Sequence, residues 1–118
     1  MKRMPSVHVI VPEETSSKIK KKLDGLIRRE VLKTAQELGE SDKISDSQKD
    51  FSIIIAGSSK VHYVNFVMML FPRDTYKIIK YQEALENAAT LLGLNTYTAI
   101  VYCANPEDWR GPMWNFRS

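Results

Sequence analysis

The chain has 118 residues, of which 43% are hydrophobic, and its 17 basic and 14 acidic residues give a net charge of +3. This length is typical of one domain with its own core, and the charge is small for a protein dedicated to nucleic acid. The single cysteine, Cys103, excludes an internal disulfide and favours a cytoplasmic location. The apolar run near the N-terminus stops at Pro12, so we expect neither a signal peptide nor a membrane span there.

The first part of the chain changes from a strand pattern to a helix pattern. Residues 7–11 are rich in β-branched side chains and are followed by Pro12, which predicts a strand and then a turn. Apolar residues then recur at helical spacing over residues 19–38, and Gly39 is a stop signal. The polar segment 40–50 is typical of a flexible, solvated loop.

Two apolar segments follow this loop. Residues 51–56 predict a buried strand, residues 57–59 a turn, and residues 61–71 a second, longer strand. The pattern leaves open whether these two strands pair as a hairpin or lie apart in the sheet.

The last part of the chain again passes from a helix to a strand. Asp74 is the predicted N-cap of a second amphipathic helix, and Gly93 is its predicted end. Residues 97–103 predict a final strand, and residues 105–118 an irregular C-terminal tail.

These elements predict one α+β domain over residues 1–118. The order is β-α-β-β-α-β, with a mixed four-stranded sheet and two helices on one face. Both alternating sets of side chains in the strands are apolar, so the second sheet face also needs a cover. The C-terminal tail or another subunit could cover this second face. We expect another subunit to do so, and we predict a homo-oligomer that is a trimer.

Two fold families use this order, the ferredoxin-like fold and the tautomerase superfamily, and several short motifs favour the second. Met4 and Pro5 stand directly before the first strand, the first helix is rich in lysine, and a Gly-Ser-Ser turn precedes an apolar strand. The junction Leu-Phe-Pro-Arg-Asp at residues 70–74 and a last strand with an aromatic tail complete the pattern. Over residues 5–116 the chain therefore resembles the tautomerase superfamily, which includes macrophage migration inhibitory factor.

The resemblance implies a role for Pro5. In that family an N-terminal proline is the acid/base group, so a chain with Pro5 at its N-terminus is implied to be a keto-enol tautomerase of a small carboxylic acid. Lys2 and Arg3 precede Met4 here, and an internal proline nitrogen is an amide that cannot act as a base. With Pro5 internal, the chain is implied to be an inactive relative, so the sequence leaves open whether the protein is an enzyme.

Three more residues are candidates for the same site. Arg73, beside the predicted start of a helix, is a candidate ligand for the substrate carboxylate. Its alternative role is a surface ion pair with Asp74 or Glu83. Trp109 and Trp114 are candidates for lining the pocket, from a neighbouring subunit. The sequence predicts no cofactor and no metal site.

A different function rests on the first helix, in which basic residues are dense. The candidates for a phosphate contact there are Lys18, Lys21, Lys22, Arg28 and Arg29. They are consistent with a ferredoxin-like module that binds nucleic acid or has a regulatory role. A third alternative is a protein-interaction domain. The small net charge favours a merely solvated helix face over a nucleic-acid site.

Overall fold

The computed structural model describes residues 6–41, 51–70 and 72–103. The elements follow the predicted order, and they are β1 (Ser6–Pro12), α1 (Ser17–Glu37), β2 (Ser52–Ser58), β3 (Val64–Leu70), α2 (Thr75–Thr90) and β4 (Thr96–Cys103). The predicted loop at 40–50 and tail at 105–118 lie largely outside the described residues, and the extent of the single domain stays a prediction.

The four strands form one mixed sheet in the order β2-β1-β3-β4. β1 is parallel to β2 and antiparallel to β3, and β3 is parallel to β4. The sheet therefore consists of two β-α-β halves that meet along β1 and β3. The helices contact each other, so they lie on the same face of the sheet. This confirms the predicted fold class, and it shows that β2 and β3 are not a hairpin, because β1 lies between β2 and β3.

The core lies between the sheet and the helices, and strand alternation builds it. Val7, Val9 and Val11 of β1 are buried on the helix side, and so are Phe66 and Met68 of β3. The buried side chains of the helices close this layer, namely Leu23, Ile27, Val31 and Ala35 of α1 with Tyr81, Leu85, Ala88 and Ala89 of α2.

The other face of the sheet, which we call the open face, carries the alternate side chains of each strand. Two rows of this face can be followed across the sheet from β2 towards β4. One row consists of Ser52, Ser6 and Met69, and the other consists of Ile54, His8, Val67 and Ile100. Ser6, His8 and Met69 in the centre are buried, whereas Ile54 is 43% and Ile100 48% exposed at the edges. This face has no helix of the described residues against it.

Both helices begin and end at residues that suit those positions. The Ser16 side chain accepts a hydrogen bond from the Ile19 amide at 3.1 Å, and Asp74 accepts one from the Lys77 amide at 3.0 Å. Just beyond the helices, Gly39 (φ 72°) and Gly93 (φ 71°) adopt left-handed backbone conformations that favour glycine. The predicted cap at Asp74 and both predicted stops are confirmed.

We expect Asp74→Ala to lower the free energy of unfolding by about 1 kcal/mol, because the Lys77 amide loses its hydrogen-bond acceptor. Urea denaturation measures this change. Asp74→Asn keeps an acceptor and should stay close to wild type, so equal losses in the two variants would contradict a capping role.

The strand ends differ from the sequence prediction at the β2–β3 connection. Gly57 and Ser58, predicted in a turn, belong to β2, because the parallel register with β1 continues to Pro12 opposite Ser58. A side chain at Gly57 would meet the Glu13 Cα at 3.4 Å, which is an ordinary contact distance, so the strand continues through this glycine without strain. Residues 61–63, predicted in a strand, precede β3, because pairing to β4 starts only at Val64.

Candidate functional site

The candidate site lies at the end of the sheet where β1 begins. Ser6 pairs with Ser52 of β2 on one side and with Met69 of β3 on the other, which places the start of β1 in the middle of this sheet end. Ser6 is buried, and its hydroxyl has no hydrogen-bond partner among the described residues. Pro5 is bonded to Ser6 but lies outside the described residues, so its catalytic role stays a prediction.

A cluster of charged side chains lies beside this sheet end, where α1 finishes and α2 starts. Glu40 follows the end of α1, and its carboxylate accepts hydrogen bonds from Arg73 Nη1 at 2.7 Å and from the Tyr81 hydroxyl at 2.7 Å. Lys77 Nζ contacts the second carboxylate oxygen at 3.2 Å. The Glu40 and Arg73 side chains are 3% and 4% exposed, so this is a buried ion pair. We call these four residues the Glu40 cluster.

The charges in the Glu40 cluster fix the protonation of its two acids. Burial alone would raise the pKa of Glu40, but the Tyr81 hydrogen bond, the Arg73 charge and Lys77 together hold it below its usual value of 4.5. Burial, together with the neighbouring Glu40 carboxylate, raises the pKa of the Tyr81 hydroxyl. At neutral pH Glu40 is therefore ionised and Tyr81 protonated, so the cluster holds charge and does not exchange protons.

The structure gives Arg73 a different partner from those considered in the sequence. It pairs with buried Glu40 instead of forming a surface pair with Asp74 or Glu83, and its guanidinium also lies 5.4 Å from the centre of the Tyr81 ring. The Glu40 carboxylate thus pairs with two cations, Arg73 and Lys77. Binding of a substrate carboxylate by Arg73 stays a prediction.

The importance of Glu40 and Tyr81 was not predicted from the sequence. Glu40 was predicted to lie in a solvated loop, but it is buried. Its backbone amide donates to the Ala35 carbonyl at 2.7 Å, which turns the residue back onto the helices. The available signal was the spacing of Arg73, Lys77 and Tyr81. Lys77 and Tyr81 are four positions apart and lie on one side of α2, and Arg73 stands just before the N-cap of that helix. The three donors can therefore converge on the same place.

The other predicted site residues lie away from this sheet end or outside the described residues. Trp109 and Trp114 belong to the tail that is not described. The five basic candidates of the alternative function all lie on the outer face of α1, and they are Lys18, Lys21, Lys22, Arg28 and Arg29. The structure therefore brings the basic residues together but does not bring them to Arg73.

The opposite end of the sheet, where β3 and β4 begin, carries a cleft of about 270 Å³. The exposed rings of Tyr63 and Tyr97 line it, together with Lys60, Val61, His62 and Asn65. Asn65 is fixed there, since its side-chain amide donates to the Tyr63 carbonyl at 3.0 Å and accepts from the Thr98 hydroxyl at 2.9 Å. This cleft was not predicted from the sequence, because it depends on which strands are neighbours in the sheet.

Within residues 6–41, 51–70 and 72–103, no group of three or more His, Cys, Asp or Glu side chains is arranged to hold a metal ion. Neither helix of this part of the chain is both long and apolar enough to cross a membrane.

Comparisons with known proteins find relatives in structure but not in sequence. No protein-family model matches the chain, and no curated protein matches it. A symmetric trimer of wild-type fused 4-OT matches with a TM-score of 0.64 at 12% identity, covering 90% of this chain and 89% of that chain. Malonate semialdehyde decarboxylase matches with a TM-score of 0.60 at 10% identity, covering 87% of each chain.

MIF2 of Leishmania major matches with a TM-score of 0.60 at 10% identity, covering 86% of this chain and 89% of that chain. All three matches extend over most of the chain, so the likeness includes both β-α-β halves. At such low identity they establish the architecture alone. The chain therefore has the fold of the tautomerase superfamily, as the resemblance of its short motifs implied.

Proposed function

We propose that this chain is a tautomerase-like homo-oligomer that moves a proton between carbon and oxygen of a small keto acid when Pro5 is its N-terminal residue. With Pro5 internal, it is an inactive relative. The observation that carries this proposal is the position of Ser6, the residue bonded to Pro5. Ser6 is buried in the middle of the sheet end at which α1 finishes and α2 starts, in a chain with the tautomerase fold.

The chemistry follows from the properties of a secondary amine. Apolar surroundings disfavour the charged form of an amine, so a free prolyl nitrogen can accept a proton from carbon and return it to oxygen near neutral pH. One of the structural relatives, malonate semialdehyde decarboxylase, has been solved with its first residue changed from proline to alanine. This supports the choice of Pro5 over Glu40 and Tyr81, since Glu40 stays ionised and Tyr81 stays protonated at neutral pH.

The Glu40 cluster supplies the attraction for an acidic substrate. Because Glu40 already occupies Arg73 Nη1, a substrate carboxylate binds Arg73 by sharing it with Glu40 or by displacing Glu40. Lys77, whose side chain is 31% exposed, is a second cation that attracts an anion at this sheet end in either case. We keep Trp109 and Trp114 as the candidates that exclude water from the pocket. The direct test compares phenylpyruvate enolisation by a chain that begins at Met1 with that by a chain that begins at Pro5.

The open face is the proposed contact between subunits. Its edge residues Ile54 and Ile100 are about half exposed, and Val67 lies between them in the same row. The helices cover only the opposite face of the sheet. Because structural relatives include fused 4-OT solved as trimers, we propose that three copies cover their open faces mutually.

We expect the wild-type protein to sediment as a trimer at micromolar concentration, and Ile54→Asp/Ile100→Asp to shift it to monomer. Two buried carboxylates would be uncompensated in such an interface. The matched control is Ile79→Asp on α2, where the isoleucine is equally exposed at 44% but faces away from the sheet. A monomeric wild type, or a double variant that stays trimeric while folded by circular dichroism, would refute the interface.

A further inference from the structure

The outer face of α1 carries a continuous stripe of positive charge. Its positions recur at spacings of three and four residues, so they share one side of the helix, and they are Lys18, Lys21, Lys22, Gly25, Arg28, Arg29, Leu32, Lys33 and Gln36. Six of these nine residues are basic and none is acidic. From Lys18 to Lys33 the charges extend over about 22 Å of helix. We call this surface the basic stripe.

The net charge of the chain understates this surface, because positive charge is concentrated in α1. The helix has seven basic and three acidic residues, a net charge of +4, while the whole chain has +3. The three acids flank the stripe and do not interrupt it. Asp24 lies beside Ile55 of β2, Glu30 is buried, and Glu37 lies in the groove between α1 and α2.

Most cations of the basic stripe have no acidic partner among the described residues. Arg29 pairs with Glu30 at 3.3 Å, and Arg28 donates to the Phe51 carbonyl at 3.3 Å and lies over the Phe51 ring. Lys21 and Lys22 are exposed, and no carboxylate of the described residues lies within 4.0 Å of either amine. Like charges at these spacings repel each other and weaken the helix unless an anion approaches.

The surface also has a suitable shape. Gly25 leaves a shallow depression of about 460 Å³ in the middle of the basic stripe, with Arg28, Arg29 and Lys33 among its walls. A side chain added at Gly25 would meet no atom within 4 Å, so this space is open. A row of phosphates can therefore approach the helix closely between its lysines.

We propose that the basic stripe binds the phosphate backbone of double-stranded nucleic acid without sequence preference. Regularly spaced phosphates complement a rigid row of cations about 22 Å long. The stripe has no aromatic side chain to stack on bases, and Gln36 is its only amide, which excludes extensive base readout. It also has no exposed large apolar residue to enter a lipid surface, since Leu32 is half-buried.

The test is fluorescence anisotropy of a labelled DNA duplex of about 20 base pairs and arbitrary sequence, titrated with the full chain between about 50 and 200 mM salt. We expect four or five phosphate contacts. A plot of the logarithm of the binding constant against the logarithm of the salt concentration should then have a slope of about −4. Lys21→Gln/Lys22→Gln should weaken binding about fivefold or more and make the slope shallower by about 2.

The matched control is Lys20→Gln/Lys60→Gln, which removes the same charge away from the stripe. Lys20 Nζ lies over β2, 3.7 Å from where a side chain at Gly57 would begin, and Lys60 follows β2. This variant should bind within about twofold of wild type. Equal weakening by both double variants, absence of binding at about 50 mM salt, or tighter binding to phosphatidylserine vesicles than to the duplex would each overturn the proposal.

Discussion

Replacing Glu40 with glutamine is expected to lower the free energy of unfolding by about 3–5 kcal/mol, a large part of the total for a domain of this size. The amide side chain can still accept the Tyr81 hydrogen bond, but it removes the negative charge that the buried Arg73 guanidinium and Lys77 share. Removing one partner of a buried ion pair costs far more than losing a surface contact. Urea denaturation followed by circular dichroism measures the change.

Glu83→Gln is the matched control for this variant. Glu83 pairs with Lys80 at 3.7 Å, but the two side chains are 59% and 40% exposed, so water screens their attraction. We expect a change below about 0.5 kcal/mol. If Glu40→Gln were as mild as Glu83→Gln, the Glu40 cluster would not hold the two helices together.

The pH dependence of this difference has a definite sign. The pKa of Glu40 is lower in the folded protein than its usual value of 4.5, so its contribution to stability is fully present above that pH and is lost as the pH falls through the folded value. The gap between wild type and Glu40→Gln should therefore be widest near neutral pH and narrow in acid. A gap that widened below pH 4.5 would contradict a lowered pKa.

The second large effect concerns the N-terminus. A chain that begins at Pro5 should enolise phenylpyruvate at least about 100-fold faster than a chain that begins at Met1, because only the former has a basic nitrogen at that position. An amide nitrogen has no available lone pair. The ultraviolet absorbance of the enol measures the rate.

The control for the shortened chain begins with alanine in place of Pro5. Its primary amine is a different base without the proline ring, so it should lose most of the gained rate. Activity of the Met1 chain that survives Pro5→Ala would assign the chemistry to another group. Inactivity of both chains would leave the fold without the proposed reaction.

Local patterns predicted the fold because each element carries its own signals. The helix of residues 75–90 has a capping aspartate before it and a glycine with positive φ after it, so its limits are set by a few adjacent residues. The β-branched and apolar runs fixed the strands in the same way. Their ends at residues 57–63 were predicted less well, because those depend on how far a neighbouring strand continues.

The site could be predicted only in part, for a related reason. Arg73 stood out as a cation next to a helix start, but its partner Glu40 is 33 positions away, and only the packing of α1 against α2 brings the two together. A glutamate inside a polar segment has the sequence context of a solvated residue. The basic residues of α1 could be grouped from the sequence, because helical spacing alone shows which of them share the side away from the core. Lys18, Lys21, Lys22, Arg28 and Arg29 were therefore all predicted together.

The separation of β2 from β3 by β1 has a consequence for how the chain folds. Among the four described strands, no two that pair are joined by a short turn. Their closest pairing in sequence, Val64 with Thr96, joins positions 32 apart, with a helix between them. Closure of such long loops costs entropy before any sheet hydrogen bond forms. Refolding should therefore be slow for a domain of this size, with the helices formed early and β1, which needs partners from both halves, completed last.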